Sequence, residues 1–183
     1  MVNYQFQAFA NSNNTLLVGK MIAVTSLGLY AGTALTFNTV IMPSLRKFSS
    51  SSSLAIWHES FQVSKVQQLS LTAVGVATNA GLFHKTKNPF YLYSAVALAL
   101  TFPLSILGLR PISNKLIAIR EANTVQGKAN SLKDSESDDS VVDRLLSRWN
   151  LVHGARTALS VGALLSALYA IIADDSVHFI LFK

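Results

Sequence analysis

Trp149, His153, Arg156 and Ser160 recur at spacings of four, three and four residues, so on a helix they share one face, with Asn150 just beside it. That face carries an indole, an imidazole and a guanidinium: a stacking surface, a base and a cation. Arg156 lies about five residues inside the apolar run that begins at Leu151. An ionisable side chain at such depth marks a functional site by default. The competing reading is that a long arginine near a helix end reaches back to the lipid headgroups.

What must position these residues is a membrane domain. Half of the 183 residues are hydrophobic and only 13% are charged, with a mean hydropathy of +0.38. That is too apolar for an ordinary soluble domain. The expected fold is an all-α integral membrane four-helix bundle forming a single domain over residues 1–183. Its spans are expected at about 16–42, 61–83, 89–109 and 151–173, each long enough to cross a bilayer. The connections 44–55 and 121–140 are expected to be flexible, and a short amphipathic cytoplasmic helix from Val141 to Arg148 leads into the last span.

The net charge of +6 would suggest nucleic acid in a soluble protein. Here the basic residues border hydrophobic spans, and they are read as topology signals, with no nucleic-acid partner. Arg46, Lys47, Arg110, Lys115, Arg120, Lys128, Lys133, Arg144 and Arg148 fall on one side; Lys85, Lys87 and Lys183 fall on the other. This bias puts the first and third connections in the cytoplasm and both termini in the lumen. The N-terminus lacks the basic region of a signal peptide and the arginines of a transit peptide, so the first span is expected to act as an uncleaved signal, with the endoplasmic reticulum as default location. The sequon Asn13-Asn14-Thr15 lies too near that span to be modified efficiently.

Gly28 and Gly32 form a GxxxG pair, expected to pack against another helix of the bundle or, alternatively, to form a dimer seam. Ala73, Ala77 and Gly81 repeat the device in the second span. Pro43 ends the first span, and Ser49 to Ser53 reads as a linker. Trp57 reads as an interfacial anchor, and Phe90, Tyr91 and Tyr93 as an aromatic belt. Pro103 should kink the third span. Asn130 to Ser140 is acidic and serine-rich, and disorder is expected there; Ser131 and Ser135 each precede an acid by three residues, a pattern some cytosolic acidophilic kinases accept.

Antiparallel helices would bring Asn38 and Thr39, His58, Gln62 and Lys65, Asn114, and Trp149, Asn150, His153 and Arg156 to the cytoplasmic end. Polar groups so placed suit a hydrophobic small-molecule substrate arriving from membrane lipid. Cysteine is absent, which removes disulfides, thiolate metal sites and cysteine nucleophiles. No metalloprotease motif, nucleophile elbow or P-loop occurs, and His58 with His153 makes a poor metal site without a carboxylate. No metal or haem is expected.

Three pieces of the chain resemble the anthrone oxygenase family of small four-span membrane proteins. They are the first span with Gly28 and Tyr30 ending in Met42-Pro43, the segment Pro111-Ile112-Ser113-Asn114-Lys115-Leu116, and Arg148-Trp149-Asn150-Leu151-Val152-His153-Gly154-Ala155-Arg156. The resemblance implies oxidation of an anthrone to an anthraquinone by molecular oxygen in polyketide biosynthesis, without a dedicated cofactor. The residues suit that chemistry: His153 as general base, Arg156 as partner of the resulting oxyanion, and His58, Asn114, Trp149 and Asn150 as substrate-binding groups. A rival class is a non-enzymatic membrane subunit or assembly partner, in which His153 and Arg156 bond between helices, with a membrane-protein partner or a second copy. A small transporter fits less well, because inverted repeats and mid-membrane charges are missing.

Overall fold

Among the described residues, four rods account for the secondary structure. A computed structural model describes residues 12–126 and 135–173, and the fold is all-α. The first rod, α1 (residues 12–45), is continuous but changes geometry, from α over Ser12–Thr36 to a π turn at Phe37–Ile41 and back to α over Met42–Leu45. The second, α2, is Ser50–Thr86. The third, α3 (residues 89–126), has α geometry over Pro89–Leu104, a π turn at Ser105–Leu109 and α geometry over Arg110–Gln126. The fourth, α4, is Ser135–Ala173.

Both π turns have the same local cause. In each, the first π residue's carbonyl accepts from five residues on, Met42 N–H to Phe37 O and Arg110 N–H to Ser105 O. Two residues beyond each π turn stands a proline, Pro43 or Pro111. Its ring crowds the carbonyl four residues earlier and offers it no N–H, and the wider turn relieves both problems. The departure from α geometry in α3 therefore sits before Pro111 rather than at Pro103, which α3 accommodates inside a regular stretch.

Several expected loops are helical. Ser50 to Ser53, expected to lie in a flexible connection spanning 44–55, form the first turn of α2, where the Ser49 hydroxyl bonds those of Ser51 and Ser52 and Ser53 ties back to the end of α1. Ser53 N–H bonds Ser49 O at 2.9 Å, and its hydroxyl donates to Leu45 O at 2.6 Å. The separate amphipathic helix at 141–148 is instead one piece with the last span: Val142, Leu146 and Trp149 are buried along one stripe while Asp143, Arg144 and Arg148 stay exposed. Of the connection 121–140, residues 121–126 and 135–140 are helical; the rest, with Ser131, lies outside the described residues, as do the termini.

The chain divides into two compact units. Among described residues the first comprises 12–31, 70–99 and 159–173. Its core is Leu27, Tyr30, Leu98, Ala163 and Ala167, continued by Ala23, Leu82, Tyr91 and Ala170. Tyr91, expected in an aromatic belt, is fully buried here. The turn between α2 and α3 is tied by side chains: Lys87 takes φ 60°, Thr86 Oγ1 accepts from Asn88 N–H, and Asn88 Oδ1 caps Phe90 N–H. Ser166 Oγ donates to Phe90 O at 2.8 Å, joining α4 to α3.

The second unit comprises 32–69, 100–126 and 135–158. Phe37, Met42, Leu45, Leu54, Trp57, Leu109, Leu116, Val142, Leu146 and Trp149 form its core. Trp57, read from the sequence as an interfacial anchor, is thus a core residue.

Three helical stretches, Asn14–Leu45, Pro89–Thr124 and Asp139–Ala173, are long and apolar enough to cross a membrane. Their outward side chains, among them Leu29, Leu35, Phe102, Leu107, Leu165 and Ile172, are exposed apolar surface suited to lipid. The fourth expected span, in α2, does not reach that apolarity among the described residues.

Close packing falls on glycines other than the GxxxG pair. A Cβ on Gly28 or Gly32 would meet nothing within 4 Å, whereas one on Gly108 would come within 2.7 Å of Val152 Cγ1. Valine is stiff at χ1 on a helix and cannot turn aside. Gly108→Ala is therefore expected to lower stability in detergent by about 1–2 kcal/mol, overpacking outweighing the gain in helix propensity. Gly32→Ala, with open space around it, should leave the unfolding midpoint unchanged or raise it.

Candidate functional site

The π turn of α1 carries the residue on which the polar motif of α4 is anchored. Asn38 Oδ1 lies 2.6 Å from His153 Nδ1, and its Nδ2 donates to the Asn150 carbonyl at 3.1 Å. Thr157 Oγ1 donates to Asn38 Oδ1 at 3.0 Å and lies within reach of His153 O and Ala34 O. Gly154 makes room for this crossing, because a Cβ there would stand 3.2 Å from Asn38 Nδ2.

Aromatic rings enclose the imidazole. His153 is only 2% exposed. Its ring stacks on Trp149, with centroids 4.7 Å apart and planes 15° apart, and Phe37 approaches from 5.4 Å. Trp149 is fully buried, meets Trp57 and Phe61 edge to face, and donates from Nε1 to Ser113 Oγ at 3.1 Å. Trp57 and Phe61, one turn apart on α2, stack with planes 4° apart. Each such ring pair adds about 0.5–1.5 kcal/mol beyond the area it buries.

The other expected site residues take different places. Arg156 is half-buried and donates from Nη2 to Gln68 Oε1 of α2 at 2.8 Å. This lies on the turn of α4 that follows His153. His58 is half-buried beside Trp57, with ring centroids 6.5 Å apart. Its Nδ1 is buried with no hydrogen-bond partner among the described residues, and the same holds for Asn150 Oδ1 and Trp57 Nε1. Asn114 is exposed, and α3 reaches the cluster through the neighbouring Ser113. All of these residues belong to the second unit.

Asn38, Gln68 and Ser113 do most of the bonding to the α4 motif, and Phe37 and Thr157 complete it. Asn38 and Gln68 are visible in the sequence as polar residues inside apolar helices, which is the one signal that marks them. Among the described residues no three His, Cys, Asp or Glu side chains gather where they could hold a metal ion. An open cavity of about 210 Å³ in the same unit is lined by Met42, Arg46, Phe48, Asp139 and Asp143 among others, and by none of the residues above.

Chemically, the cluster is an imidazole fixed in position and orientation, a guanidinium one helical turn away, and flat aromatic walls. It can take a proton from an acidic C–H or O–H and stabilise the anion that results. No curated protein and no solved structure matches the chain. A family model described as Anthrone oxygenase matches residues 57–166, which include α2 from Trp57 onward, all of α3 and the motif of α4. With more than half of its length matched, the chain belongs to the anthrone oxygenase family.

Proposed function

We propose that this protein oxidises an anthrone-like polyketide to the corresponding quinone with molecular oxygen, starting from deprotonation by His153. The observation that carries the reading is the imidazole held between Asn38 and Trp149, with Arg156 on the following turn. The methylene of an anthrone is acidic because the anion is an aromatic phenolate. His153 takes one of its protons, the electron pair passes to the ring oxygen, and Arg156 stabilises that oxyanion. The electron-rich carbanion then reacts with oxygen. The balance is a CH2 group and O2 giving a C=O group and water, so no external reductant is required and no cofactor is assigned. Trp149 backs the imidazole by stacking on it, and the unpartnered His58 Nδ1 and Asn150 Oδ1 are suited to a ligand's hydroxyl groups. The exposed Asn114 is assigned an outer contact to the substrate.

A second reading has an observation in its favour. Asn38 with His153, and Gln68 with Arg156, are hydrogen bonds between helices, and such polar pairs also serve purely to hold membrane helices together. On that reading the protein is a non-enzymatic subunit with a membrane partner or a second copy. Oxygen uptake with hydroxyanthrones separates the two. The native protein should consume oxygen, and His153→Gln, which keeps the size and an amide, should slow turnover by about 100-fold or more. No uptake by the native protein with any anthrone would favour the subunit.

We also assign α2 as a fourth span in the endoplasmic reticulum membrane, with the first and third connections cytoplasmic and both termini lumenal. Support comes from where its polar residues point. Gln68 and Asn79, which lower its hydropathy, are buried, while Leu69, Ala73, Val74, Ala77 and Ala80 face outward. Because the chain has no cysteine, single cysteines at Ser51 and Lys87 can be labelled in sealed microsomes with an impermeant maleimide. Ser51→Cys should react from outside the vesicle and Lys87→Cys only after permeabilisation. Equal reactivity of both would show that α2 does not cross.

A further inference from the structure

We infer that Asn38 fixes His153 as the Nδ1–H tautomer, so that Nε2 is the atom that takes the proton and Asn38 is a positioning residue. The catalytic half of this inference rests on the proposed reaction; the tautomer does not. The argument begins at the Asn150 backbone carbonyl, which can only accept. Asn38 Nδ2 faces it at 3.1 Å, so the amide NH2 must point there; turned over, the amide would set oxygen against oxygen. Its Oδ1 then faces His153 Nδ1 at 2.6 Å. An amide oxygen can only accept, so the hydrogen between them belongs to Nδ1. A neutral imidazole carries one N–H, and Nε2 is left with its lone pair.

Three further contacts keep the ring from turning its nitrogens over. Trp149 stacks on one face, Phe37 stands against it at 5.4 Å, and Thr157 Oγ1 donates to the same Asn38 oxygen at 3.0 Å. Phe37 and Asn38 are adjacent in sequence, and both reach the imidazole from the π turn. The hydrogen bond of the His153 ring is made through Nδ1, which leaves Nε2 for a substrate proton. When it is used, the substrate C–H bond breaks, an N–H bond forms at Nε2, and the electron pair stays on the substrate. Asn38, being a neutral amide, cannot pass a proton onward. His153 must therefore return its proton through Nε2, to the reduced oxygen product or to solvent.

The test is nitrogen NMR of the full chain in nanodiscs with 15N-labelled histidine, the His153 signals being identified by their loss in His153→Gln. The native protein should show a single Nδ1–H tautomer; an Nε2–H form, or an even mixture, would overturn the inference. Asn38→Leu should bring in the Nε2–H form and lower kcat at least about tenfold with KM within about twofold. Asn38→Asp, which keeps the acceptor, should retain the Nδ1–H form. If the native tautomer is Nδ1–H but Asn38→Leu leaves it unchanged, Asn38 is not its cause and the inference fails. If the tautomer responds while kcat does not, the positioning role is overturned. If it responds and the native protein consumes no oxygen, the proposed reaction fails and the tautomer assignment stands.

Discussion

The hydrogen bond of 2.6 Å between Asn38 and His153 is the constraint on which the second unit depends. Inside an apolar bundle a polar group without a partner costs several kcal/mol, so the Asn38 amide and the His153 imidazole are each stabilised by meeting across the interface. That need fixes the rotation of α1 against α4. With the two helices locked there, a Cβ on Gly154 would crowd Asn38 Nδ2 at 3.2 Å, and Trp149 is directed into the space where Trp57, Phe61 and Ser113 meet it. Packing and polar satisfaction agree on one arrangement, which is what gives a small bundle a unique structure.

Prolines and glycines adapt the helices to this arrangement. Pro43 and Pro111 each stand two residues past a π turn, and the turns carry Phe37 and Asn38 in α1 and Gly108 in α3. Gly108 lets Val152 of α4 approach, and Val152 is within one turn of Trp149 and His153. The site is thus shaped by backbone irregularities in two helices that themselves contribute few polar side chains to it. π turns often accompany function, and here the link is physical: they set which way Asn38 faces.

Much of this was legible in the sequence. The all-α membrane class follows from hydropathy, and the shared face of Trp149, His153 and Arg156 follows from helical spacing. The partners of that face were not legible. Asn38 and Gln68 stood out only as polar residues in apolar runs, and nothing in their spacing shows which residue on another helix each will meet. The π turns were hidden because the prolines signal a break without saying which geometry relieves it. Loop reading failed at Ser50 to Ser53 for a related reason: a serine run has the composition of a linker and also of a helix start, and Leu45 O, which accepts from Ser53, is distant in pattern though near in space. Gly28 and Gly32 match a packing motif, but helix rotation set by Asn38, Phe37 and Ala34 leaves other glycines at the contacts.

On the proposed reaction, His153 Nε2 faces the reacting carbon of a flat aromatic substrate. An experimental structure of the full chain with a hydroxyanthraquinone product bound would reveal that contact. The product's newly formed carbonyl carbon should lie within about 4 Å of the His153 Nε2 lone pair, with Asn38 still bonded to Nδ1. A product bound in the cavity between Arg46 and Asp143, with His153 untouched, would contradict it.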